Sequence, residues 1–308
     1  MTNKPLLLNR RALPLEATSS PAHKKVCAAS DGSGLWLKIK LLPPPPLPPP
    51  TTKLRLRIKR PVLPSTANKT RLGMNTASSY LPKDSDAKPL GEDAHFLLQE
   101  RQTIGEANGV GSWAKKGIDA SIYALELMDH AFSSAVSLEP STAGSSTACI
   151  VTLRREDNKL CYANVGNSGF LVFRNKKLLF RSPTQQHRFN CPYRLKNGGK
   201  ARVYEGEVAV EGGDVVVAGS DGLLDNLFVE EMERILEDTV EGRRRQGEEE
   251  VLPEHISWNL ACAALLNSQN PGYRSPFQCE TEKAGRTLHN GGKNDGITVI
   301  VAMIKGAR

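Results

Sequence analysis

Nine short apolar or alternating runs, at 94–99, 102–107, 148–154, 160–165, 169–173, 177–180, 203–211, 214–219 and 297–304, dominate the chain from residue 91 onward. They are short, with Gly, Asn and Asp punctuation between them, and are expected to be strands. Most follow one another with no helix between them. That excludes a βαβ alternation and calls for antiparallel pairing. Helical periodicity appears in three places. In GIDASIYALELMDHAFSSAV (117–136) it sets Ile118, Ile122, Leu125, Phe132 and Val136 on one face, with Asp119 in the first turn. The others are 229–240 and 253–269, the latter with Pro253 where a first helical turn accepts it. RRRQGEEE (243–250) reads as a solvated, charge-rich loop. The order of strands, helix, many strands, helices and a final strand gives an α+β class, with antiparallel sheets packed together and helices outside.

The carboxylates fall at the ends of these runs. DVVVAGSDGLLDN (214–226) delivers Asp221 just after an apolar strand. GGKNDGITVIVAMI (291–304) places Asp295 just before another, and GEDAHFLL (91–98) does the same with Glu92 and Asp93. A carboxylate at a strand terminus is held rigidly while its oxygens face a cleft, and three such termini converging make an all-oxygen site suited to Mg²⁺ or Mn²⁺. Asp before Gly is also ordinary turn chemistry, so no one of the three carries the reading alone.

Charge is unevenly placed. The net charge is +8, yet residues 1–90 hold 16 Lys/Arg against 4 Asp/Glu and residues 91–308 hold 25 against 29. The basic character therefore belongs to an N-terminal arm, taken as 1–70, and not to the domain at 71–308. Within the arm, LLPPPPLPPP (41–50) is a stiff polyproline spacer or a ligand for an aromatic-lined groove. KLRLRIKR (53–60) reads as an edge strand, a nuclear address or a patch for anionic partners, but no aromatic residue interleaves with its charges, so no nucleic-acid partner is expected. The Ser/Ala/Lys/Arg-rich start fits a transit peptide for chloroplast or mitochondrion; generic disorder in a cytoplasmic or nuclear protein fits the same composition. No apolar run of about 20 residues is present, so no membrane span is expected. The six cysteines form no CxxC pair, and a reducing compartment without a zinc site is expected.

GEDAHF, ANGVGSWA, GSSTACI (144–150), GNSGFLVF (166–173), FRSPTQQHRFN (180–190), GSDGLLDN and the final DGITVIV occur in an order that resembles the metal-dependent protein phosphatases of the 2C type, and within them the short plant and mitochondrial branch. The resemblance spans roughly residues 70–306. It implies two packed antiparallel β-sheets flanked by helices, with a two-metal Mg²⁺ or Mn²⁺ centre between the sheets. By position, Asp221 and Asp295 would be ligands, Glu92 and Asp93 would complete the cluster, and Gly109 would offer its carbonyl. Asp225 would serve a weaker extra site. The implied reaction is hydrolysis of phosphoserine or phosphothreonine in phosphoprotein substrates by a metal-activated water, in a protein expected to be monomeric.

The chain departs from that pattern in identifiable ways. The family places a metal-bridging Asp at position 108, where this chain has Asn108. A neutral amide offers one carbonyl oxygen and cannot bridge two cations, which opens the alternative of a pseudophosphatase acting as a binding module. Glu106 sits two residues earlier, on the same face of the strand. It is a substitute carboxylate or, as expected here, a strained or exposed residue. Asn167 replaces the Asp that would pair with Asp225. The segment between Phe132 and Gly144 is shorter than the family pattern. Lys88, five residues before Asp93, is a candidate phosphate contact or a solvated loop lysine. His95 is expected to pack inside a strand and His187 to end a turn.

Overall fold

The computed structural model describes residues 71–83, 90–133, 142–197, 201–247, 250–286 and 290–306. The readings placed on the N-terminal arm, on Lys88 and on Val136 lie outside these residues, as does most of the shortened segment before Gly144. In chain order the strands are β1 (Leu72–Leu81), β2 (Asp93–Leu98), β3 (Thr103–Asn108), β4 (Ala148–Arg154), β5 (Lys159–Val165), β6 (Gly169–Arg174), β7 (Lys177–Arg181), β8 (Gln186–Arg188), β9 (Cys191–Pro192), β10 (Tyr204–Ala209), β11 (Val215–Gly219) and β12 (Ile297–Gly306). The α-helices are α1 (Ala120–Ser133), α2 (Asp221–Leu224), α3 (Val229–Arg245), α4 (Pro253–Ser268) and α5 (Pro276–Lys283).

Two five-stranded sheets are formed, in the orders β1-β12-β11-β6-β7 and β10-β5-β4-β3-β2, and every pairing in them is antiparallel. Their inner faces meet in one apolar layer. Ile104, Val151, Leu160 and Tyr162 come from one sheet, and Phe170, Val172, Val216, Ile300 and Ala302 from the other. Outside the first sheet, α3 and α4 pack Met232, Leu236, Ile256 and Leu260 against Leu171, Val217, Val299 and Val301. Outside the second, α1 lays Tyr123, Ala124, Leu127 and Met128 on Ala94, Phe96, Ala107 and Ala148. This is the expected α+β architecture of two packed antiparallel sheets with helices on both outer faces.

Three local readings need correction. The buried face of α1 is Ala120, Tyr123, Ala124, Leu127 and Met128, whereas Ile122 and Leu125 are only half-buried. The small Ala120 and Ala124 allow the helix to approach the sheet closely, so side-chain bulk is a poor guide to its inward face. Asp119 lies before the helix and accepts the Ser121 N–H at 3.0 Å. The Arg243–Arg245 run is the last turn of α3 and not a loop; three cations there complement the negative end of the helix dipole. Five elements were also unexpected: β1, β8, β9, α2 and α5. β1 is small and polar in sequence (LGMNTASSYL) and is held by pairing with β12 along all ten residues. In α5, Ser275 accepts the Gln278 N–H as N-cap ahead of Pro276.

Candidate functional site

At one end of the sandwich the strand termini bring four carboxylates from both sheets together. Asp93 opens β2, and opposite it in register Asn108 ends β3. On the other sheet, β11 leads through Ser220 to Asp221, the first residue of α2, and Asp225 ends that helix. Asp295 lies two residues before β12. The Ser220 hydroxyl fastens the β11 turn to the start of β12. It donates to the Gly296 carbonyl at 3.1 Å and accepts the Thr298 N–H at 3.1 Å. A Cβ at Gly222 would lie 1.9 Å from the Gly296 carbonyl oxygen, so only glycine permits this approach. Asp93 is buried and accepts the Thr298 hydroxyl at 2.7 Å, a bond that ties the two sheets together.

Both Asp221 oxygens are occupied. Oδ1 accepts the Asn108 side-chain amide at 2.8 Å, and Oδ2 accepts the Asn167 amide at 2.9 Å. The Lys293 ammonium, a residue that motif reading passed over, also donates to Asp221 Oδ2. It lies 3.0 Å from Asp225 Oδ2 and 3.2 Å from Asp295 Oδ2. The only signal for it in the sequence is a lysine two residues before Asp295. The other Asp295 oxygen accepts the Gly296 N–H at 3.1 Å.

The electrostatics follow from crowding and burial. Burial pushes Asp93 up to about 8; the neighbouring Asp295 and Asp221 add to this and the Thr298 hydrogen bond opposes it. Burial likewise raises Asp225 to about 6 against the pull of Lys293. Burial also raises Asp295, and the Asp221 charge adds to it. Burial alone would lower the Lys293 amine, but its three carboxylate neighbours outweigh that and hold it well above the ordinary lysine value.

The remaining candidates fall around this centre. Gly109 donates its N–H to the Glu92 carbonyl at 3.0 Å, and a Cβ there would lie 2.7 Å from the Ala120 and Glu92 oxygens. The Glu92 carboxylate lies against Gly111, since a Cβ on that residue would be 2.6 Å from Oε2. Glu106 is not exposed. It is fully buried on the inter-sheet face of β3, and neither carboxylate oxygen has a hydrogen bond of good geometry among the described residues. The Ser168 hydroxyl, 2.6 Å from that of Thr147, lies close enough to act on the carboxyl. Burial holds its carboxyl well above the usual range; the Ser168 hydroxyl opposes this, and Asp93 and Asp221 add to it. His95 lies in β2, its Nε2 3.0 Å from the Ser78 hydroxyl. His187 is in β8 and packs on Tyr193 at a ring distance of 4.2 Å, so it builds a small hairpin and does not end a turn.

All-oxygen donors grouped around Asp93, Asp221 and Asp295 suit one hard divalent cation, which would relieve the repulsion evident at Asp93. They do not suit a bridged pair. Asn108 turns an N–H toward Asp221, and an amide cannot span two cations. Among the described residues no three His, Cys, Asp or Glu side chains are already arranged to hold a metal ion. The Asp221 oxygens face two amides and an ammonium instead.

No family model matches the chain. It is 36% identical over 259 residues to "Probable protein phosphatase 2C 55" of Arabidopsis thaliana, covering 77% of this chain and 53% of that protein. The chain thus spans about half the length of that relative. It is 38% identical over 258 residues to "Putative protein phosphatase 2C 24" of Oryza sativa subsp. japonica, covering 76% of this chain and 77% of that one. The X-ray structure of the photosystem II phosphatase PBCP superposes with a TM-score of 0.67 at 26% identity, covering 76% of this chain and all of that one. By sequence and by fold, the chain belongs to the protein phosphatase 2C family.

Proposed function

We propose that the chain hydrolyses phosphoserine or phosphothreonine in protein substrates with the help of a bound divalent cation, Mg²⁺ or Mn²⁺. The observation that carries this reading is the convergence of Asp93, Asp221, Asp225 and Asp295 from both sheets at one end of the sandwich. Asp221 and Asp295 would hold the ion, with Asp93 beside them and Glu92 and the Gly109 carbonyl completing the shell. A cation bound there supplies an acidified water and neutralises phosphoryl oxygens. The chain's own residues fix the donors. Ser220 sets the β11 turn, Thr298 orients Asp93, and Gly222 admits the close backbone approach.

A pseudophosphatase is the second reading. It is favoured by the two amides, Asn108 and Asn167, that cap both oxygens of Asp221 where the family pattern has carboxylates. The discriminating experiment measures hydrolysis of a phosphothreonine peptide with Mn²⁺ titrated, for the parent, Asn108→Asp and the Asp221→Asn control. Parent activity above the control supports the enzyme. Activity in Asn108→Asp alone supports the pseudophosphatase, and activity in neither sinks the hydrolase reading.

The arm's Ser/Ala/Lys/Arg composition supports an organellar address. A C-terminally tagged full chain that stays uncleaved outside chloroplasts and mitochondria would overturn that part.

A further inference from the structure

Lys293 is placed with more constraint than a surface lysine that happens to find an acid. Its backbone is gripped from both sides by the fully buried Asn226. The Asn226 Oδ1 accepts the Lys293 N–H at 2.8 Å, and Nδ2 donates to its carbonyl at 2.8 Å. Asn226 is itself fastened, since its carbonyl accepts the Asn267 side chain of α4 at 3.0 Å. From this fixed point the lysine stem runs past the Phe277 ring, 5.4 Å from its centroid to Nζ. The ammonium then enters the centre with only 14% of the side chain exposed. An ammonium has three N–H donors, and this one faces three carboxylates, Asp221, Asp225 and Asp295. Two amides complete the coordination of Asp221. The result is a centre whose anionic oxygens are partnered from within the chain.

Two of these carboxylates, Asp221 and Asp295, are the ones a divalent cation needs. Like charge cannot share that space. A divalent ion and an ammonium held side by side in a partly desolvated site repel strongly, so ion and ammonium exclude each other. We propose that Lys293 is a tethered competitor for the metal, closing the carboxylate centre in the metal-free state and leaving it when a divalent ion enters. The inference rests on the centre being a cation site, as under the proposed function, and it does not depend on catalysis.

The test measures binding and not turnover. Mn²⁺ affinity is determined by calorimetry for the full chain and for Lys293→Met, which keeps the apolar stem and removes the charge. The expected result is at least a tenfold tighter Mn²⁺ complex in Lys293→Met, with a larger rise in melting temperature on adding Mn²⁺. Equal or weaker affinity overturns the proposal, as does failure of both proteins to bind. If Lys293→Met does not fold, the parent decides the question. Amine acylation at Lys293, read by peptide mass spectrometry, should be slow in EDTA and rise several-fold as Mn²⁺ is added to about 10 mM, while an exposed reference such as Lys283 stays constant. Labelling at Lys293 that ignores Mn²⁺ overturns it. A chain that binds Mn²⁺, expels Lys293 and hydrolyses nothing would confirm the competitor while refuting the phosphatase.

Discussion

Replacing Glu106 with leucine should make the protein more stable, contrary to the usual effect of a core substitution. Glu106 is fully buried in β3, with Ile104 on the same inter-sheet face and Cys149 as its cross-strand partner. Neither carboxylate oxygen has a hydrogen bond of good geometry among the described residues, and the nearby Ser168 hydroxyl offsets the effect of burial only in part. A buried polar group left unsatisfied costs about 1–3 kcal/mol. A near-isosteric leucine removes that cost and adds apolar contact beside Ile104 and Cys149. The expected gain is about 2 kcal/mol, or about 4–8 °C in melting temperature for a domain of this size. The sign with pH is fixed by the raised folded-state value. The folded chain holds the Glu106 proton above 4.5, where the unfolded chain releases it, so parent stability falls as pH rises from there through the folded value. The advantage of Glu106→Leu therefore widens with pH. Urea melts in EDTA at pH 5 and pH 8 measure both effects, and Glu106→Gln, which keeps the polar atoms, should recover much less. A Glu106→Leu protein that is neutral, or weaker than the parent by about 1 kcal/mol or more, would refute the claim that the carboxyl is unsatisfied.

Other expectations follow from the same geometry. Gly222→Ala drives a Cβ to 1.9 Å from the Gly296 carbonyl and should cost about 3 kcal/mol in urea melts; a loss under about 1 kcal/mol would show that this backbone approach relaxes freely. Arg174 forms a two-pronged pair with the buried Asp214, at 2.9 and 2.8 Å, so Arg174→Ala should cost about 2 kcal/mol by leaving that carboxylate without its counter-charge, held only by the Glu211 N–H. Salt insensitivity of the loss would separate this pair from the exposed ones. Burial depresses His95 to about 4, so the unfolded chain takes up a proton below 6.5 that the folded chain refuses. Stability should fall as pH drops from 6.5 toward 4, and His95→Gln should flatten that slope in urea midpoints.

Much of the sandwich was legible because a strand in a two-layer core has to alternate or run apolar. The stretches at 148–154, 169–173 and 214–219 all do so, and their boundaries shift by no more than a residue. β1 escaped because MNTASSY has no such signature; its order comes from β12, more than two hundred residues away in sequence. The α1 face was misassigned because Ala120 and Ala124, the closest-packed positions, carry little apolar bulk. At the centre, Asp93, Asp221 and Asp295 were readable from their place at strand ends. What the amides do was not, since a missing charge at Asn108 does not reveal that its nitrogen binds Asp221. Lys293 was invisible for a similar reason: a lysine beside an aspartate is commonplace, and only the Asn226 clamp makes it a resident of the site. Glu106 was judged from its strand phase alone, which gives the face a residue occupies and not what awaits it there.

The register of β1 also fixes where the basic arm meets the domain. Leu72 pairs with Gly306 and Leu81 with Ile297, so the carboxylates lie at the far end of β1 from the point where the chain arrives. Ten strand residues separate the two by about 30 Å. The chain thus enters the domain, at Leu72, at the opposite pole of the sandwich from the carboxylates. A change made at Leu72 therefore acts on the pole of the sandwich that carries no donor of the carboxylate centre.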